Sequence, residues 1–173
     1  MLGKFLVAAV IGVGALGIIP AAADPSVKSA DIVDYFVKAK LGAERGLCVG
    51  TVQECDQSAP KPAGFDMLIN FDLDSANLTP QAQQNLNEFA KALHNEQLAS
   101  ARFVVEGYTD GRGTANYNLG LSERRAQAVT KFLYESGVSQ EKVTAVGMGM
   151  AKPRVPDIMD PVNRRVEMRI ELQ

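Results

Sequence analysis

The stretch from Val104 to Val129, VVEGYTDGRGTANYNLGLSERRAQAV, constrains this chain more than any other. Phe103, Val104 and Val105 form a short run of β-formers, which predicts a strand. Glycines at 107, 111 and 113 and the Asp110-Gly111 pair then force a turn. From about Asn116 the apolar residues fall at helical spacing, with Leu121, Ala126, Val129, Phe132 and Leu133 sharing one face. This order places Asp110 just past a strand end and Arg125 about two turns into the next helix. A fixed negative and a fixed positive charge would then face one small cleft, which suits a zwitterion. On spacing alone each residue also has an ordinary reading. Asp110 is a turn former in an Asp-Gly pair, and Arg125 belongs to the solvated run Glu123-Arg124-Arg125.

The same patterning extends on both sides. Phe65 to Phe71 predicts a strand and Asp72 to Asn77 a polar turn. Thr79-Pro80 opens a helix, with Thr as N-cap and Pro in the first turn. That helix carries Leu86, Phe89, Ala90 and Leu93 on one stripe and ends near Gln97. A second strand covers Ala101 to Tyr108, and the second helix runs from about Asn116 to Glu135, stopped by Ser136-Gly137. Lys142 to Val146 is a third strand, and a proline-bearing loop then reaches Pro161. In the last strand, Arg164 to Leu172, the apolar residues Val166, Met168, Ile170 and Leu172 alternate with Arg165, Glu167, Arg169 and Glu171. A period of two predicts one buried and one wet face, and an antiparallel neighbour. The expected fold is an α+β two-layer sandwich. Its order is βαβαβ-β, a mixed four-stranded sheet with two main helices on one face and right-handed crossovers.

Residues 1–23 read as a secretory signal peptide: Lys4, an apolar run from Phe5 to Ile19, then Pro20-Ala21-Ala22-Ala23 before Asp24. A retained anchor is the alternative, but the run is shorter than the ~20 residues a spanning helix needs. Cleavage after Ala23 places the mature chain outside the cytoplasm, in the periplasm of a bacterium and in reach of the outer membrane. Cys48 and Cys55 fit that address as a disulfide. Closing so small a loop contributes roughly 2–3 kcal/mol in the chain-entropy model. A metal site or a redox pair is the alternative. The first lacks partners, since the single histidine, His94, lies far along the chain, and the second usually has a tighter spacing. Residues 24–64 are expected to hold a helix at Ala30 to Leu41, the cysteine loop and a linker, QSAPKPAG. Such a segment is too small for its own core. It packs on the main domain, residues 65–173, or docks a partner. A net charge of −2 without a basic stripe excludes a nucleic-acid binder.

Three segments carry a family resemblance: GYTDGRGTANYNLGLSERRAQAV, the earlier INFDLDSANLTP and the later NRRVEM. Together they resemble the C-terminal domain of outer-membrane protein A (OmpA) and its relatives, over roughly Phe65 to Leu172. The resemblance implies non-covalent binding of peptidoglycan. It matches Asp110 to the acid that meets the ammonium of diaminopimelate and Arg125 to the arginine that meets its carboxylate. Asn118, Leu121 and Ser122 match the motif's asparagine, leucine and serine, and Arg164 and Arg165 match the NRRVE arginines. These two alternate across a strand end, so at most one faces the cleft, and Arg164 is the favoured one. Asp72 and Asp74 either rim the site or make the turn. Two positions depart from the family: Tyr108 stands where relatives often carry His, and Met150 where they are often acidic. The stretch before Phe65 leaves no room for an eight-stranded barrel and has no lipobox, which predicts a soluble member.

The resemblance implies no catalysis, no cofactor and no metal, and the sequence has no HExxH or GxSxG motif. A wall hydrolase and an envelope adaptor are the competing classes. Two charged hydrogen bonds of ~1.5–3 kcal/mol each give only mM to tens-of-μM binding. Firm retention would need a homodimer or a second contact, for which residues 24–55 are the candidate, toward the wall or toward another envelope protein.

Overall fold

The computed structural model describes residues 27–44, 64–69, 71 and 74–171. The signal segment, Cys48, Cys55 and Asp72 lie outside the described residues, as do most of the linker and Leu172. The elements are α1 (Ser29–Glu44), β1 (Phe65–Asp66), α2 (Pro80–Leu93), β2 (Arg102–Gly107), α3 (Ala115–Glu135), β3 (Val143–Gly147) and β4 (Val166–Glu171). Short 3-10 turns stand at Glu96–Leu98 and Pro161–Asn163.

The sheet order is β1-β4-β2-β3. The β2 and β3 strands are parallel and joined through α3, whereas β4 lies between β1 and β2 and is antiparallel to both. Phe103, Val105, Val143, Val166, Met168 and Ile170 turn to one face and are buried there with Leu86, Phe89, Val129 and Leu133 from the helices. Thr79 caps α2 as expected, its hydroxyl accepting from the Ala82 N–H at 3.2 Å. At the far end of α3, Gly137 takes a φ of 90°, a left-handed position at which glycine carries no Cβ penalty.

Two features differ from the sequence reading, and one alternative it left open is decided. The first strand is only Phe65–Asp66 rather than Phe65 to Phe71. Past it, Leu68 takes φ 50° and donates its N–H to Asp66 Oδ1, so a local side-chain turn replaces the ladder. The helix expected at Ala30 to Leu41 is present as α1, and its packing decides between the two alternatives for the first segment. Ile32 and Phe36 of α1 are fully buried, and the Phe36 ring meets Phe103 edge-on at 4.9 Å. The first segment therefore packs into the main core.

The second difference is the face expected to be wet. Register sets Asp66 opposite Glu167 and Glu167 opposite Glu106, three acids in a row across the sheet. Like charges directly opposite destabilise a sheet. Three arginines separate them: Arg154 bridges Asp66 (2.5 Å) and Glu167 (2.8 Å), Arg165 binds Glu167 (2.6 Å), and Arg169 binds Glu106 (2.6 Å). Tyr108 closes the layer, donating its hydroxyl to Glu106 at 2.7 Å while Arg165 stacks 3.8 Å over its ring. Glu106, Arg165 and Glu167 are consequently buried. Alternation in the sequence marks polarity rather than exposure: here the centre of the polar face is buried with its charges paired, while Asp66, Arg154 and Arg169 stay partly exposed.

Candidate functional site

The site forms where β2 and β3 end together. Gly107 and Gly147 are register partners, and α3 crosses directly over both. A Cβ on Gly107 would lie 2.2 Å from the Ser122 carbonyl oxygen, and one on Gly147 would lie 2.7 Å from the Glu123 nitrogen. Only glycine lets the helix come so close. That contact delivers Arg125, one turn further along α3, to the loops above the sheet.

The turn after β2 is held from several sides. Thr109 donates its N–H to Gly149 O at 2.8 Å, and Gly111 donates to Ile158 O at 2.7 Å. Asp110 Oδ1 accepts from the Arg112 N–H at 3.2 Å, an Asx turn. Gly113, at φ 85°, leads into Thr114, whose hydroxyl caps α3 by accepting from the Tyr117 N–H. Asn118 donates its side-chain amide to the Arg112 carbonyl at 2.7 Å. Ser122 is fully buried, and its hydroxyl accepts from the Gly149 N–H at 2.8 Å. Asn118 and Ser122 thus tie the two loops to the helix, and Leu121 is buried beside them.

The charged groups gather next to this frame. Phe71, Arg125, Pro161 and Arg164 line a cleft of about 230 Å³. Arg125 is 3% exposed, lies 5.0 Å over the Phe71 ring and donates Nε–H to the Ser75 carbonyl at 2.9 Å. Burial pulls its guanidinium below the ordinary arginine range. The like charge of Arg164 adds to this, and Asp110 opposes it. It remains a cation, because no protein environment deprotonates a guanidinium. Arg164 donates Nη1–H to Asp110 Oδ2 at 2.8 Å. Arg112 Nη1 approaches the same oxygen at 3.3 Å. Asp110, 5% exposed, does not line the cleft itself and meets it through its pair with Arg164, which does.

The structure brings Asp110, Arg125 and Arg164 together and sends Arg165 to the ionic layer on the opposite face. Asp74 takes φ 55° and accepts a short hydrogen bond from the Tyr117 hydroxyl, tying the loop before α2 to α3. Sequence reasoning missed three participants. The sequence pattern places Phe71 in a strand and Pro161 in a loop, and gives the Arg112 side chain no role. The sole available signal for Arg112 was a cation two residues after the acid. A larger open groove lies between α1 and the end of α2, lined by Asp31, Asp34, Lys91 and Asn95 among others, away from these charges.

Residues 70–166 match the OmpA family. The chain belongs to that family. Outer membrane protein A of Escherichia fergusonii is 39% identical over 103 residues, 60% of this chain and 42% of that protein. Outer membrane protein A of Salmonella typhi is 37% identical over the same length, 29% of that protein. The chain thus spans less than half the length of these OmpA relatives. Among solved structures, the peptidoglycan-associated lipoprotein from Burkholderia pseudomallei is 33% identical with a TM-score of 0.54, covering 60% of this chain and 88% of that one. The C-terminal domain of Helicobacter pylori MotB shares the fold, with 20% identity, a TM-score of 0.51 and coverage of 64% and 85%. No helix among the described residues is long and apolar enough to cross a membrane. The described residues also hold no cluster of metal-binding side chains.

Proposed function

We propose that this OmpA-family domain binds peptidoglycan non-covalently, through the free diaminopimelate end of a stem peptide, on the periplasmic side of the envelope. The observation that carries the reading is the meeting of three charged groups from separate segments: Arg125 and Arg164 line one small cleft, and Asp110 is paired with Arg164. A diaminopimelate end carries an ammonium and a carboxylate on one carbon. Arg125 and Arg164 offer planar forks to the carboxylate, and Asp110 offers acceptors to the ammonium. Asn118, Leu121 and Ser122 act as positioning residues. Affinity from this site alone falls in the mM to tens-of-μM range, since about two charged hydrogen bonds supply it. Export by a cleaved leader, residues 1–23, and a disulfide between Cys48 and Cys55 belong to the same proposal. So does avidity through a homodimer or through residues 24–55. Because Ile32 and Phe36 are core residues, only the outward side of α1 is available for such a contact.

Sedimentation with purified sacculi tests the reading. The intact protein should pellet, and Asp110→Ala should stay in solution with a native circular-dichroism spectrum. Arg125→Lys, which keeps the charge but loses the fork, should also fail to pellet. Pelleting by both variants would defeat the reading. Release of soluble muropeptides would instead mark an enzyme. A second reading, an adaptor for another envelope protein, draws on exposed Leu119, Met150, Ile158 and Met159 on and beside the cleft loops. It predicts that sacculi are ignored altogether.

A further inference from the structure

We propose that Arg112 is a built-in competitor for the ligand's ammonium, so that this site binds its target more weakly than its geometry allows. The inference rests on the reading above and concerns how that same site is tuned. The Asp110 carboxylate has three donors within the chain: Arg164 Nη1 at 2.8 Å, Arg112 Nη1 at 3.3 Å and the Arg112 N–H at 3.2 Å. Both guanidinium groups bond the same oxygen, Oδ2, so an ammonium that takes this oxygen must displace one of them.

The two guanidinium groups are not equally easy to displace. Arg164 makes the shorter bond, its side chain is 32% exposed, and it also lines the cleft beside Arg125. The Arg112 side chain is 57% exposed and its bond is the longer one. The Arg112 backbone is pinned, its N–H on Asp110 and its carbonyl on Asn118. The side chain can therefore swing into water without moving the turn. Binding becomes an exchange of one cation for another on a nearly buried acid, which is never left unpaired. The exchange avoids the penalty of a lone buried charge. It also subtracts the lost Arg112 pair from the binding energy.

The test is titration of the full chain with meso-diaminopimelate by calorimetry. Arg112→Ala should bind about three- to fivefold more tightly than the parent, the scale of one exposed ion pair. Arg112→Lys restores a competing cation and should bind within about twofold of the parent, as expected for so small a pair energy. Thermal unfolding of both variants should match the parent, because the substitution spares the backbone contacts. If the parent binds and Arg112→Ala binds equally or more weakly, Arg112 is not a competitor and the inference falls. It falls too if Arg112→Lys binds as tightly as Arg112→Ala. Failure of parent and variants alike to bind would remove the function proposed above, and this inference with it.

Discussion

Gly107→Ala should damage the proposed binding site without touching any residue that lines it. The added Cβ would lie 2.2 Å from the Ser122 carbonyl oxygen and 3.0 Å from its carbonyl carbon, both backbone atoms of α3. An ordinary carbon–oxygen contact needs more than 3 Å, so the helix must retreat by about 1 Å or the strand must bend. Overpacking of this kind costs about 1–3 kcal/mol, and with backbone on both sides the upper end applies. With a urea slope near 2 kcal/mol/M, the unfolding midpoint should fall by about 1–1.5 M. The retreat also carries Arg125 away from the loop that holds Asp110. Affinity for meso-diaminopimelate should therefore fall by about tenfold, the equivalent of ~1.4 kcal/mol. Urea unfolding followed by circular dichroism, with calorimetry on the folded variant, measures both effects. An unchanged midpoint together with unchanged affinity would refute the close crossing of α3 over the strand ends, and with it the account of how the site is assembled.

Ser122→Ala strands the Gly149 N–H inside the fold and should cost about 1–3 kcal/mol in urea unfolding. Weaker diaminopimelate binding should accompany it, because the loop carrying Gly149 also holds Thr109. Burial first, then the hydrogen bond to Glu106, raises the Tyr108 phenol above its ordinary 10.0. A raised folded value means that the unfolded chain loses this proton first. The Tyr108 contribution is complete below pH 10 and fades as pH climbs above it toward the folded value. Urea midpoints measured from pH 8 to 11 should fall more steeply for the parent than for Tyr108→Phe; parallel curves would contradict the buried phenol.

Much of this architecture is legible in the chain because local chemistry and global fold agree. Thr79-Pro80 opens α2, Ser136-Gly137 closes α3, and the alternation in β4 marks its apolar side correctly. The short β1 was not legible, because a strand-like composition cannot reveal that Asp66 will capture the Leu68 N–H. Nor was the burial at the centre of the polar face. Arg165 and Glu167 read as solvent-facing, and only register with Glu106 and Asp66 shows them neutralised. For the site, the strand-turn-helix order was enough to set Asp110 near Arg125. It could not show Arg164 on the Asp110 carboxylate, a contact between residues 54 positions apart, nor that the Arg112 side chain turns back onto the same oxygen, which depends on its rotamer rather than its spacing.

The most direct measurement is an NMR titration of the isotope-labelled protein with meso-diaminopimelate, repeated on the isosteric variant Asp110→Asn. The parent should show saturable shifts centred on residues 109–114, Arg125 and Arg164, with a Kd between tens of μM and a few mM, as about two charged hydrogen bonds dictate. The variant, equally folded, should show none. Saturable binding by Asp110→Asn with the parent's affinity, or shifts that cluster away from this cleft, would contradict the paired-charge site.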